Sequence, residues 1–180
     1  LEHVDVMGSE SGDGLIEALA GKPALRVLKT GRLVTDAGLA KLQDIPQLVR
    51  PRVGSVDLEK TGAHLLIDGP FTNGGFRSIA ALHGVVDLDL FWHVTGLTSE
   101  AFADLARLPN LTTLGADSHL SDDEAMRHFA AIPRLRALRA QESVATDAGF
   151  EALAQSRTLE QFWGRECPNF GDRAFIAFSR

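Results

Sequence analysis

Large aliphatic residues recur along the chain in the order L-x-x-L-x-L: Leu1, Val4, Val6; Leu25, Leu28, Thr30; Val85, Leu88, Leu90; Leu111, Leu114, Ala116; Leu135, Leu138, Ala140; and Leu159, Phe162, Gly164. Successive starts lie 24, 60, 26, 24 and 24 residues apart, and the long interval divides at Gly62, where a degenerate copy carries Leu65 and Ile67. The period-two part of this pattern puts the apolar members on one side of a short strand. A second stripe follows each strand. Leu15, Leu39, Phe76, Phe102, Met126, Phe150 and Phe175 are answered three residues on by Ala18, Leu42, Ile79, Leu105, Phe129, Leu153 and Phe178, which is helical spacing. The pattern predicts seven strand–turn–helix units. None can bury its own apolar face, so stability comes from stacking neighbours.

The punctuation between stripes agrees with this reading. Thr35-Asp36, Thr72-Asn73, Thr98-Ser99, Ser121-Asp122 and Thr146-Asp147 precede helices and offer side-chain oxygens to the first free N–H groups; Ser121 and Glu124 have capping-box spacing. Pro23, Pro46, Pro109 and Pro133 close helices and turn the chain toward the next strand. The core motif, a polar or cysteine residue at position nine (Ser9, His93, His119, Ser143, Cys167) and the helix-opening run Thr35-Asp36-Ala37-Gly38-Leu39, echoed as Thr146-Asp147-Ala148-Gly149-Phe150, resemble the leucine-rich repeats. The match is to bacterial repeats of the T-D-A-G-L type and is similar to their cysteine-containing subclass. It spans nearly all 180 residues and implies an α/β fold: a right-handed leucine-rich-repeat solenoid with a parallel concave sheet and convex helices. The chain departs from the family at position six, where Thr30, Ala116, Ala140 and Gly164 replace a large aliphatic, and in having no asparagine at position nine.

Residues 1–180 read as a single repeat domain with one irregular insertion near 49–61. Pro46-Gln47-Leu48 resembles a strand entry, yet it would put Pro51 in a core position of the ladder. The register beginning at Gly62 is therefore preferred, with Val53 to Leu58 as an extra strand or loop returning through Glu59-Lys60-Thr61-Gly62.

Composition narrows the classes of function. Apolar residues make up 44% of the chain, but no run approaches the roughly 20 residues of a membrane span. The net charge is −6, and the densest cationic group, Arg134, Arg136 and Arg139, is small and has Glu142 nearby, so nucleic acid is not an expected partner. Cys167 is the one cysteine and has no intramolecular partner for a disulfide, which points to a reducing, cytoplasmic setting.

Catalytic constellations are sparse. Asp87 and Asp89 fall on one side of a strand with His93 a few residues on, the best metal arrangement available, although alternating acids also suit a solvent face. Cys167 and His119 occupy equivalent positions two repeats apart, too distant to touch at about 5 Å per strand, so Cys167 reads as structural. Asp122, Asp123 and Glu124 complement a helix dipole, and Gly8 to Gly14 lacks the lysine of a phosphate loop. No cofactor and no enzyme activity are expected.

Surface recognition remains. Positions five, seven and eight of each unit face the concave side, which nominates Lys29, Asp89, Phe91, Trp92, Asp117, Arg139, Gln141, Trp163 and Arg165 as binding residues; Leu66 and Asp68 belong to the same rows. Aromatics beside charged neighbours suit the hot spots of a protein interface. The expected function is a protein–protein interaction module. Two alternatives are a substrate-targeting domain of a larger enzyme, such as a bacterial ligase-type effector, and a metal- or carbohydrate-binding protein. Neither end carries a polar cap: Leu1 to Val6 is an open strand, and Asp172 to Ser179 ends with Phe175 and Phe178 uncovered. Continuation of the array in a longer chain, or end-to-end contact with another chain, is the corresponding expectation.

Overall fold

The computed structural model describes residues 1–50 and 61–179. Seven strands form one sheet: β1 His3–Asp5, β2 Val27–Lys29, β3 Ala63–Ile67, β4 Val85–Leu90, β5 Thr113–Ala116, β6 Ala137–Arg139 and β7 Gln161–Trp163. They lie side by side in chain order, and every neighbouring pair is parallel. The register aligns the middle apolar residue of each motif, so Val4, Leu28, Leu65, Leu88, Leu114, Leu138 and Phe162 follow one another across the sheet. Between strands the chain passes through helices at Asp13–Ala18, Asp36–Lys41, Asn73–Phe76, Asp123–Ala130 and Asp147–Leu153, and through a 3₁₀ stretch at Ser99–Arg107; Asp172–Phe178 follows β7. Helices of successive units pack on one another, and a single apolar core fills the space between them and the sheet. Three of the four short residues at position six are no defect: Thr30, Ala116 and Ala140 are fully buried, and the Thr30 hydroxyl accepts a 3.0 Å bond from the Asp68 N–H, whereas Gly164 in the last unit is exposed.

The run Thr-Asp-Ala-Gly-Leu works as a joint between units. Its threonine caps its own helix, Thr35 Oγ1 accepting from the Ala37 N–H, while the next residue, Asp36, reaches forward to the threonine of the following unit. Asp36 accepts from the Thr72 N–H at 2.6 Å and from its hydroxyl at 2.8 Å. Asp13 clamps Thr35 and Asp123 clamps Thr146 through the same pair of bonds, Asn73 exchanges two bonds with Thr98, and Asp147 accepts from the Gly171 N–H. The glycine makes room for the incoming carboxylate. A Cβ on Gly149 would lie 2.5 Å from Asp123 Oδ1, and one on Gly38 or Gly75 would collide with Asp13 or Asp36 in the same way. Each aspartate thus supplies a charge-assisted acceptor to the free N–H at a neighbouring helix start.

Several expectations from the pattern change. In the first unit the buried stripe is Ile16 and Leu19, with Leu15 only half-buried and Ala18 exposed, because the clamp on Thr35 sets the helix phase from Asp13. In the last unit Phe178 packs on Phe162 and Phe170, whereas Phe175, the counterpart of the buried Phe150, is 67% exposed. Ser121 is not a helix cap; Asp122 takes that role by accepting from the Ala125 N–H, and the Ser121 hydroxyl donates to the Ser118 carbonyl. Pro46–Val49 forms a helical turn, and β3 enters the sheet at Ala63 as the Gly62 register requires. The proposed extra strand or loop at Val53 to Leu58 and the first half of its return turn, Glu59 and Lys60, lie outside the described residues. No helix among the described residues is long and apolar enough to cross a membrane.

Candidate functional site

Strand alternation leaves one face of the sheet open. In β4 the side chains of Leu88 and Leu90 are buried toward the helices, while Asp87 and Asp89 between them are half-exposed. Lys29, Arg139 and Trp163 occupy the same row as Asp89, and Lys29 pairs with Asp5 at 2.9 Å. Arg139 does not stay on its own strand. Its guanidinium crosses β5 to donate to Asp87 at 2.7 Å and to both oxygens of Asp89 at 2.8 and 2.9 Å. The crossing depends on Gly115, since a Cβ there would collide with the Asp89 carboxylate and sit 3.6 Å from Arg139 Nε. His64 Nδ1 approaches Asp87 at 3.4 Å and extends the group onto β3.

The electrostatics follow from this geometry. Burial and the repulsion of Asp87 raise the Asp89 carboxyl above its ordinary range, and Arg139 offsets only part of that. Burial alone would lower the pKa of Arg139, but the two carboxylates outweigh it and hold the guanidinium charged. An acid whose pKa is raised by folding contributes stability below its unfolded value, and that contribution is lost as pH rises through the folded value. Asp89→Asn should therefore change the melting temperature more favourably at about pH 7 than at about pH 4. Equal changes at the two pH values, measured by thermal unfolding, would contradict the raised pKa.

At the carboxyl end of the central strands the face becomes aromatic. Trp92 is 63% exposed, and Phe91 meets it edge-on with ring centroids 6.2 Å apart. Both line a cavity of about 220 Å³ with Asp117, His119, Gln141 and Glu142. Asp117 Oδ1 accepts from the Gln141 N–H at 2.8 Å, and burial raises its carboxyl as well. Trp163 on β7 is 51% exposed, register partner to Arg139; Arg165 beyond it pairs with Glu166 at 3.1 Å. Two residues expected to be accessible on this open face are covered, although Leu66 keeps its place in the row between Lys29 and Asp89. Asp68 is fully buried and accepts from both the N–H and Nδ1 of His93 at 2.7 Å, and Leu66 is buried on the sheet.

The metal arrangement suggested by Asp87, Asp89 and His93 does not assemble, because Arg139 lies between the two aspartates and His93 is held by Asp68. Among the described residues no group of three acidic, histidine or cysteine side chains is placed to hold a metal ion. Cys167 Sγ donates to the Ala140 carbonyl at 3.2 Å, and burial pushes its thiol up, away from the thiolate a nucleophile needs. Sequence reasoning placed Asp89 and Arg139 on the face as separate residues and missed their pairing with Asp87. The available signal was a glycine at position five of the strand between opposite charges. No family model matches this sequence, and comparison with curated proteins found no match either.

Proposed function

We propose that this chain is a leucine-rich-repeat solenoid, with the right-handed crossovers that parallel strands joined by helices adopt, and that it binds a protein partner through the open face of its sheet. The observation that carries the reading is the exposure of Trp92, at 63%, at the end of the open face and of Trp163, at 51%, on it. Exposed tryptophans cost free energy in water and concentrate binding energy when a partner covers them. The charged residues around them, Asp89, Asp117, Arg139 and Arg165, with the neutral amide of Gln141, supply a polar surround rather than a catalytic set: the carboxylates of Asp87 and Asp89 are engaged by one guanidinium, and the Cys167 thiol is tied to a carbonyl. Binding rather than catalysis is the function this arrangement suits. The single, partly buried cysteine is in keeping with a cytoplasmic setting.

Affinity capture from a lysate of the source organism tests the reading. Trp163→Ala should weaken retention of a specific protein by about 2 kcal/mol or more, with an unfolding curve close to that of the unaltered chain. Retention unchanged by Trp163→Ala and by Trp92→Ala alike would remove the open face as the binding surface.

A further inference from the structure

The cavity bounded by Phe91 and Trp92 carries more information than its aromatic wall. It lies where the turns after β4, β5 and β6 come together, and its ionisable lining is Asp117, His119 and Glu142. Neither carboxylate forms an ion pair among the described residues, and Arg139 acts on Asp117 only as a more distant charge. Arg139 is committed to Asp87 and Asp89, and Arg165 to Glu166. The bonds the two carboxylates do accept come from neutral donors: the Gln141 N–H to Asp117 at 2.8 Å and Gln141 Nε2 to Glu142 at 3.3 Å. An exposed indole, a second ring set edge-on to it and two carboxylates without an ion pair therefore share a space of about 220 Å³, large enough for one long side chain.

We propose that this cavity is a subsite for an arginine side chain of the partner protein. The inference rests on the protein-binding reading above and names the chemistry of one of its anchors. A guanidinium stacks on an aromatic face and presents a planar fork of donors to carboxylates, so a single group satisfies both features of the cavity. A sugar ring would stack on Trp92 equally well but would bring only neutral hydroxyls and leave both charges without an ion pair. An acidic or purely apolar side chain would bury them at a cost.

The chain's two tryptophans make the test direct, because each gives one indole N–H resonance. The resonances are assigned with Trp163→Phe, and the unaltered chain is titrated with the peptide acetyl-Gly-Gly-Arg-Gly-Gly-amide. The Trp92 signal should shift saturably while that of Trp163 stays in place. A peptide with citrulline for arginine, neutral but of the same shape, should bind at least about tenfold more weakly. Asp117→Asn, which keeps the acceptor for the Gln141 N–H, and Glu142→Gln should each weaken the arginine peptide about threefold or more. No saturable shift, equal binding of the citrulline peptide, or a response to chitotriose but not to arginine would each overturn the subsite. Capture that still depends on Trp163 would then leave the protein-binding reading standing, whereas loss of both would end it.

Discussion

Phe102→Ala is expected to lower the stability of the fold by about 3–5 kcal/mol, the range for removing a fully buried phenylalanine without collapse of the site. Phe102 has no exposed surface and stands in the middle of a column of rings that runs from unit to unit: its centroid is 5.9 Å from that of Phe76 and 5.2 Å from that of Phe129, and Phe71 continues the series 6.4 Å beyond Phe76. The helices cannot close the gap independently, because each is pinned to its neighbour at its first turn by a clamp such as Asp36 on Thr72. A stacked array adds unit stabilities to nearest-neighbour terms, so a central cavity removes contacts on both sides at once. Phe102→Leu should cost clearly less, since it keeps much of the volume. Chemical denaturation measures both. A loss below about 1 kcal/mol for the alanine variant would mean that the column is not a packed core.

How much of this could be read from the amino-acid order depends on which force decides each position. The strands and their alignment were legible, because Leu28, Leu88, Leu114 and Leu138 each answer to one requirement, burial beneath a pleated sheet. Ambiguity entered where two adjacent residues met the requirement equally well. Leu15 and Ile16 are both aliphatic, and what selects Ile16 is the distance from Asp13 to Thr35 in the next unit, a long-range bond that helical spacing does not encode. Phe175 matches Phe150 in type and position, yet Phe150 is covered by Phe162 and Phe170 of the unit that follows it, and no such unit lies over Phe175 in the described residues. The open face was legible in part. Trp163 follows from strand alternation and Trp92, in the turn just past β4, from its place at position eight of the repeat, whereas the Asp68 carboxylate is buried because His93 supplies two hydrogen bonds that make this tolerable. Arg139 reaches two strands away only because Gly115 removes the intervening side chain, so the pair belongs to three strands together and to no single motif.

The same contrast between inner and outer units yields the second large effect. Asp36→Ala is expected to cost about 2–3 kcal/mol, because it removes two charge-assisted bonds and leaves the Thr72 N–H, at the start of the next helix, without its acceptor. Gly75→Ala attacks the joint from the other side, driving a methyl group into the Asp36 carboxylate, and should destabilise to a similar degree. Asp172 occupies the equivalent place in the last helix, where no following threonine lies within its reach among the described residues, and Phe175 and Ile176 beside it are 67% and 49% exposed. In the isolated chain Asp172→Ala and Phe175→Ala should therefore change stability by no more than about 0.5 kcal/mol each. Unfolding curves of the four variants decide the matter. If Asp36→Ala proved as mild as Asp172→Ala, the clamps would be incidental to the stacking; if Asp172→Ala proved as costly as Asp36→Ala, and more so at higher protein concentration, a second chain would be docking on this end in solution.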